Sequence, residues 1–439
     1  MPEYSVKEVR AWYVYDWANS AFYTTVVTLF LGPYLTVLAR NGADPNGMIH
    51  PLGIPVAVKS LWPYLVSLGV AMQVFLLPVF GAVADYGRRK KEMLGALAFI
   101  GSGATVAMFA LEGSRYMLGA ALFLIANSAF GASIVVYNSF LPEIAPPAER
   151  DNVSSKGWAL GYIGGGILLV LNLMLYSNAE ALGISEGFAV RVSLASAGLW
   201  WAGFTLIPLA GLRNRRPQKE LAQGASYLGA ALRQLAATAR EIRGLPQTLR
   251  FLLAYLIYND AIQTILALAA TFGQEELKLP VSSLTVAILI AQFVGFVGAI
   301  VFNWVAAWLG NRNTVMITLA VYCLVLVYAY ALVSTQTEFY ILSGAVGLVM
   351  GGSQALSRSI FSFMIPKGHE AEYYSIYEIS DKGTSWLGPL FFGLALQFTG
   401  SYRVSILSLI VFFIAGMAIL AFVDVRKAAI EAGNEPPKL

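Results

Sequence analysis

The feature that most constrains this chain is a series of twelve apolar segments, each roughly 17 to 28 residues long. A helix that crosses the hydrocarbon core of a bilayer needs about 20 mainly apolar residues. Hydrophobic residues make up 57% of the chain and charged residues only 12%, which argues against soluble enzymes, nucleic-acid-binding proteins and disordered scaffolds. The sequence predicts an all-α membrane protein with twelve transmembrane helices, at 11–38, 62–83, 93–109, 116–140, 157–176, 189–209, 249–272, 284–308, 314–333, 339–363, 373–398 and 402–423.

The positions of the basic residues predict the orientation in the membrane. With both termini inside, most of the 29 lysines and arginines lie on the cytoplasmic side, including the run from Arg88 to Lys91. Basic residues favour the cytoplasmic side of short loops. We therefore expect both termini in the cytoplasm.

The longest connection lies between the sixth and seventh segments and divides six spans from six. We expect an N-terminal six-helix bundle at 1–210, a basic cytoplasmic linker at 211–248, a C-terminal bundle at 249–425 and a short tail at 426–439. Four matches recur in the same order in both halves: Tyr15-Asp16 with Tyr258-Asn259-Asp260, 81–85 with 303–307, Pro142 with Pro366, and Lys156-Gly157 with Lys382-Gly383. Parallel repeats of this kind are typical of transporters whose site lies between the two halves.

The turn between the second and third segments contains Gly81, Asp85, Gly87, Arg88 and Arg89. A glycine permits close helix approach, an aspartate accepts from a helix N-terminus or pairs with an arginine, and basic residues bind the anionic leaflet. The alternative is a plain basic anchor, which leaves the glycine and the aspartate unexplained. The stretch resembles the loop motif of the major facilitator superfamily, which implies two pseudo-symmetric bundles and a gate at this turn.

A narrower resemblance rests on the stretches 15–22, 141–145, 157–161, 258–260 and 351–359. They are similar to the "unknown major facilitator" family, which includes fungal vacuolar amino-acid effluxers linked to autophagy. The resemblance implies a secondary transporter of a small polar solute that works by alternating access. It makes amino acids the leading substrate and efflux the leading direction. Other metabolites or lipophilic compounds are the alternative cargo.

Ionisable side chains inside spans are candidates for function, because burying one costs about 2.5–3.5 kcal/mol on insertion scales. Asp16 and Asp260 could carry protons, or could bond structurally to a broken helix or to Arg358. Arg358 could bind a substrate carboxylate, with Asp260 as its counter-ion in the empty site, or could extend to the interface or pair between helices. The polar residues that could line a cavity, or only join helices, are Asn19, Tyr258, Gln263, Gln292 and Gln354.

Glycines at 157, 161 and 165 lie four apart and predict close packing of the fifth helix. The single cysteine, Cys323, and the distant His50 and His369 argue against a metal site, and we expect no cofactor. The expected partners are a small solute, membrane lipids and protons, without nucleic acid, and we expect a monomer in the bacterial inner membrane. A membrane enzyme lacks the motifs it needs, whereas a receptor or scaffold of the same fold remains an alternative.

Overall fold

A computed structural model describes residues 5–145, 150–215, 243–366 and 385–434, together with Gly229, Arg233, Arg240 and Tyr377. The chain divides into two compact units, Met1–Leu235 and Ala236–Leu439. The predicted boundaries of the bundles, the linker and the tail stay a prediction. Most of the linker lies outside the described residues.

The first unit is helical, with one short hairpin. Its elements in chain order are α1 (Val6–Ala21), a π-helix (Phe22–Phe30), α2 (Leu31–Asn41), β1 (Met48–Ile49), β2 (Val56–Ala57), α3 (Leu61–Tyr86), α4 (Lys90–Ala107), α5 (Tyr116–Asn138), α6 (Leu141–Ile144), α7 (Arg150–Ser177) and α8 (Glu186–Gly211). Three 3-10 turns cover Pro51–Gly53, Val58–Ser60 and Met108–Ala110.

The second unit contains helices alone within its described residues. They are α9 (Pro246–Glu275), α10 (Val281–Leu309), α11 (Asn311–Ala331), α12 (Gln336–Ser362), α13 (Leu387–Thr399), α14 (Tyr402–Ser408), α15 (Ile410–Ala421) and α16 (Val425–Glu431).

Ten helices of the described chain are long and apolar enough to cross a membrane. They coincide with ten of the twelve predicted segments. The fifth and eleventh segments fall on two shorter apolar stretches, Ile163–Ser177 and Leu387–Thr399. The all-α membrane fold is confirmed, whereas the count of twelve crossings stays a prediction.

The first predicted span is longer than the sequence indicated, and it changes from α-helix to π-helix and back. It runs as one helical rod over Val6–Asn41, with the π-helix in its middle. There the Thr28 hydroxyl donates to the carbonyl oxygen of Tyr23, at 3.1 Å, and the Leu31 N–H to that of Val26. The backbone bond from Leu31 to Val26, over five residues, defines the wider π turn, which often marks functional sites.

Two other predicted spans are interrupted. The helix within the eleventh segment begins at Leu387, after a turn at Ser385 and Trp386. The twelfth divides at Leu409 into α14 and α15. The difference from the sequence prediction arises because hydropathy reports where a segment lies, and not where its backbone hydrogen bonds stop.

Outside the spans, the loop before α3 is organised by Asp44. Its Oδ1 accepts from the N–H groups of Asn46 and Met48, each at 2.9 Å, and its Oδ2 lies 3.3 Å from His50 Nε2. The Met48 N–H above all holds the pKa of Asp44 below its ordinary value. This aspartate therefore shapes the β1–β2 hairpin, in which Met48 pairs with Ala57.

Candidate functional site

In the first unit, Asp16 of α1 is held by aromatic side chains. The Tyr137 hydroxyl of α5 donates to Asp16 Oδ2 at 2.8 Å. Trp12 stacks on Tyr137 with ring centroids 4.2 Å apart, and its indole N–H donates to the Tyr137 carbonyl oxygen at 3.0 Å. Tyr15 packs against the same ring at 5.0 Å. This places a partly exposed carboxylate in a fixed position at the side of an aromatic cluster.

The fifth predicted span packs on this cluster through its glycines. A Cβ on Gly157 would lie 2.6 Å from Asp16 Oδ2, and one on Gly161 would lie 2.6 Å from Ser20 Oγ. One on Gly165 would lie 3.1 Å from the side chain of Thr24. The prediction of close packing by these three glycines is confirmed.

In the second unit, Asp260 lies in the interior of α9 with 2% of its surface exposed. Its Oδ2 accepts from the Gly388 N–H of α13 at 2.9 Å. Gly388 has no room for a side chain, because a Cβ there would overlap the Thr264 hydroxyl and lie 2.9 Å from Asp260 Oδ1. The carboxylate therefore contacts the first turn of a neighbouring helix directly.

Tyr258 lies on α9 near Asp260 and is 1% exposed. Its hydroxyl and the Ser357 hydroxyl of α12 share a hydrogen bond of 2.6 Å. Its position joins two helices of the second unit. Whether it also serves a substrate stays a prediction.

Arg358 follows Ser357 on α12, and its side chain is exposed. The carboxylate of Asp260 bonds to α13 instead, so the described structure does not contain the Asp260–Arg358 ion pair considered from sequence. The helix start at Leu387 supplies the backbone donors that the sequence could not place.

The polar candidates are unequally exposed. Asn19 is 3% exposed, and its side-chain Nδ2 has no hydrogen-bond partner in the described part of the chain. Gln263, Gln292 and Gln354 are partly exposed. The roles of all four stay predictions.

The turn after α3 departs in part from the sequence interpretation. A Cβ on Gly81 would lie 3.5 Å from Val135 Cγ1, an ordinary contact, so close approach does not require this glycine. Gly87 does require its small size, because a Cβ would overlap the Val83 carbonyl oxygen. Arg88 and Arg89 are exposed, as an anchor in lipid needs. The Asp85 side chain lies outside the described atoms.

An ionic cluster at one end of the first unit was missed by the sequence analysis. Lys90 Nζ lies 2.6 Å from Glu143 Oε1, with side chains 11% and 8% exposed. Arg215 lies 3.8 Å from Glu143 Oε2 and 2.8 Å from Glu8 Oε2. Glu143 stands in the stretch 141–145 that carried the family resemblance, which was the available signal. The cluster joins the starts of α1 and α4 to α6 and to the segment after α8.

Two arginines, each near the first turn of a helix, were also missed. Arg191 of α8 pairs with Glu112 and lies 5.5 Å from the ring centroids of Phe109 and Phe188. Arg403 of α14 lies 2.7 Å from Glu276 Oε1 and donates to carbonyl oxygens at the end of α11. They occupy similar places in the two halves. No sequence match pointed to them, because each lies near the start of its helix and outside the stretches that match between the halves.

Among the described residues, no group of three His, Cys, Asp or Glu side chains is placed to hold a metal ion. The candidate carboxylates of the described spans, Asp16 and Asp260, lie one in each unit.

Solved structures of transporters share this fold. The nucleoside transporter NupG aligns with a TM-score of 0.66 at 16% identity, over 94% of this chain and 97% of its own. A D-xylose-proton symporter aligns with a TM-score of 0.67 at 12% identity, over 96% and 98%. At such identities the likeness shows the fold alone. The chain has the fold of a multi-pass major facilitator transporter.

The family follows from sequence comparison. The family described as "Vacuole effluxer Atg22 like" matches residues 4–433. An "Uncharacterized MFS-type transporter YxiO" of Bacillus subtilis (strain 168) is 30% identical over 421 residues, 95% of each chain. "Autophagy-related protein 22-1" of Penicillium rubens is 26% identical over 551 residues, 98% of this chain and 92% of its own. The chain belongs to the Atg22-like family, as its motifs indicated.

Proposed function

We propose that this protein is a secondary active transporter that exports a small polar solute, with amino acids first among the candidates and protons as the coupling ion. The observation that carries the proposal is the buried carboxylate of Asp260 within a span of a chain from a vacuole-effluxer family. A carboxylate at that depth costs about 2.5–3.5 kcal/mol on insertion scales. Proton exchange is a function that needs a carboxylate in the membrane despite this cost.

Asp16 is the second candidate for proton handling. Its carboxylate is partly exposed and accepts from the Tyr137 hydroxyl at 2.8 Å. This hydrogen bond occupies Oδ2, so a ligand that binds this oxygen of Asp16 has to compete with Tyr137. Asp260 therefore ranks ahead of Asp16.

The proposed cycle is alternating access in the bacterial inner membrane, with both termini in the cytoplasm. Asp85, with Gly81, Gly87, Arg88 and Arg89, is proposed to bias the equilibrium between inward and outward states. On this basis Asp85→Asn should slow turnover more than it weakens substrate binding.

Flux in proteoliposomes tests the function. The purified chain is reconstituted and offered a panel of labelled amino acids, with and without a pH gradient. We expect transport of at least one amino acid to rise with the gradient in the native protein, and the Asp260→Asn variant to lose that response. Glu275→Gln, which removes a buried carboxylate from the outer part of the same helix, is the matched control and should keep it.

The other outcomes separate the alternatives. Flux of nucleosides, other metabolites or lipophilic dyes without amino-acid flux would replace the substrate class. A stable, folded protein that binds solutes without moving any of them would favour a receptor or scaffold. Full pH response in Asp260→Asn would remove Asp260 from the coupling.

A further inference from the structure

Helix α13 begins inside the predicted eleventh span, where its first N–H groups have no partners within the helix. The first four N–H groups of any α-helix lack intrahelical acceptors. The residue that precedes α13, Trp386, provides no side-chain acceptor. A buried N–H without a partner costs about 1–3 kcal/mol, so this helix start needs an acceptor from elsewhere.

Asp260 of α9 supplies that acceptor. Its Oδ2 receives the Gly388 N–H at 2.9 Å, and the Leu387 N–H interacts with the same carboxylate. A negative charge is favoured at a helix N-terminus, where the aligned peptide dipoles leave a partial positive charge. The aspartate therefore caps a helix from which it is separated by 128 positions in sequence.

The second oxygen of the Asp260 carboxylate, Oδ1, is not used by the cap. In the described part of the chain, Asp260 Oδ1 is buried and has no hydrogen-bond partner. It lies beside Gly388, where only a glycine leaves it space. Because Oδ2 already accepts the Gly388 N–H, Oδ1 is the carboxylate oxygen open to protonation.

We propose that Asp260 is a proton-dependent cap of α13, and that release of this cap is the movement by which proton binding acts on the second unit. The inference rests on the transport function proposed above and names the moving element. Hydrogen bonds to a charged acceptor are roughly twice as strong as neutral ones. Protonation of Oδ1 removes the charge, weakens the bonds to Leu387 and Gly388, and loosens the first turn of α13.

Other titratable groups near α9 do not account for such a switch. Of the described helices packed against α9, three (α10, α13 and α15) carry no titratable side chain. The remaining ones bring Glu338, Tyr340, Arg358, Tyr402, Arg403, Arg426, Lys427 and Glu431, and α9 itself has Arg250, Tyr255, Tyr258 and Glu275. In the described structure none of them hydrogen-bonds or ion-pairs with the Asp260 carboxylate. Glu378 and Asp381 lie outside the described residues, so the test uses variants as well as pH.

Hydrogen–deuterium exchange on the full-length protein in lipid nanodiscs tests the proposal. Exchange of the Leu387, Gly388 and Leu390 amides is measured between about pH 9 and about pH 5, corrected for intrinsic rates; buried carboxyls can titrate in this range. We expect these amides to exchange several-fold faster at the lower pH, because protonation removes the favourable negative charge at the helix N-terminus while a neutral acceptor remains. The amides of α10 should not change.

The variants assign the effect to Asp260. Asp260→Asn should show fast exchange at both pH values, whereas Glu275→Gln should keep the native pH dependence. Gly388→Ala should loosen α13 while Asp260 remains, because its Cβ meets the capping carboxylate. If the Asp260→Asn variant does not fold, the Asp260→Glu variant is used in its place. It keeps the charge, so its exchange should still depend on pH, with a shifted midpoint.

The proposal fails if the native protein shows no pH-dependent exchange at α13, or if Asp260→Asn keeps it. Because exchange is measured without a transported solute, it is independent of the flux assay. A pH-dependent cap with no flux would contradict only the proposed function. Coupled flux with an unchanging cap would contradict only this inference.

Discussion

At the scale of single residues, the contacts of Asp16 depend on the missing side chain of Gly157. A Cβ at that position would lie 2.6 Å from Asp16 Oδ2 and 2.8 Å from Trp12 Cζ3. Both neighbours are fixed, Asp16 by the Tyr137 hydroxyl and Trp12 by its hydrogen bond and stacking. Gly157 is thus part of the packing of α1 against α7 as well as of the candidate site.

Gly157→Ala is therefore expected to destabilise the protein by about 1–3 kcal/mol, the usual cost of overpacking a tight contact. The matched control is Gly166→Ala on the same helix, where a Cβ meets nothing within 4 Å. Thermal unfolding in detergent compares them. Equal melting temperatures for the two variants would contradict the packing described here.

Arg358 carries the second residue-scale prediction. If its guanidinium binds the carboxylate of an amino-acid substrate, Arg358→Ala should abolish binding and Arg358→Lys should restore it only in part, because an ammonium lacks the planar fork. Binding is measured by calorimetry with the transported solute. Arg250→Ala, another exposed arginine of the second unit, is the control. Full affinity in the lysine variant would assign Arg358 a structural role.

At the scale of elements, the ion pair between Lys90 and Glu143 joins α4 to α6. The two side chains are largely buried, so removal of Glu143 leaves Lys90 charged without its carboxylate, and removal of Lys90 leaves Glu143 with Arg215 alone, at 3.8 Å. Breaking a buried pair in this way typically costs about 3–5 kcal/mol, whereas removing both partners costs much less.

A double-mutant cycle measures this link. Glu143→Gln and Lys90→Gln should each lower the unfolding temperature strongly, and the double variant should recover part of the loss. Additive effects of the two single changes would mean that the pair contributes no coupling energy.

Helix pairs differ in how closely they approach. In the second unit, α10 and α12 meet backbone to backbone, because a Cβ on Gly298 or Gly351 would overlap the carbonyl oxygens of Leu348 or Gly295. In the first unit α1 and α7 approach closely at Gly157, Gly161 and Gly164. The helices α4 and α8 do so as well, because a Cβ on Gly198 would lie 2.6 Å from the Ser102 carbonyl oxygen.

At the scale of the whole molecule, the orientation in the membrane is the property open to direct test. Cysteines are placed at Asn46 and Gln223 after Cys323 is replaced by serine, and membrane-impermeant labelling is applied to whole cells. The distribution of basic residues predicts that the first reacts from outside and the second only after the membrane is opened. The reverse pattern would overturn the predicted topology.

The sequence by itself determined the class of protein, the positions of most spans and the family. These depend on local properties: an apolar run of sufficient length has no stable place except the bilayer, and the motifs at 15–22 and 351–359 lie in continuous stretches. It also identified Asp16, Asp260 and the glycines at 157, 161 and 165, because polar or small residues stand out in apolar helices.

Only the tertiary structure decided what these residues contact. Tyr137 reaches Asp16 across 121 positions, and Gly388 reaches Asp260 across 128. The start of α13 at Leu387 follows a largely polar stretch at 378–385, but hydropathy averaged over a span does not mark the residue at which the helix begins. Hydropathy is a sum over neighbours in the chain, whereas a cap or an ion pair depends on two atoms that folding brings within about 3 Å of each other. For that reason the sequence left open whether Asp260 bonds to a broken helix or to Arg358, and the fold decided for a helix N-terminus.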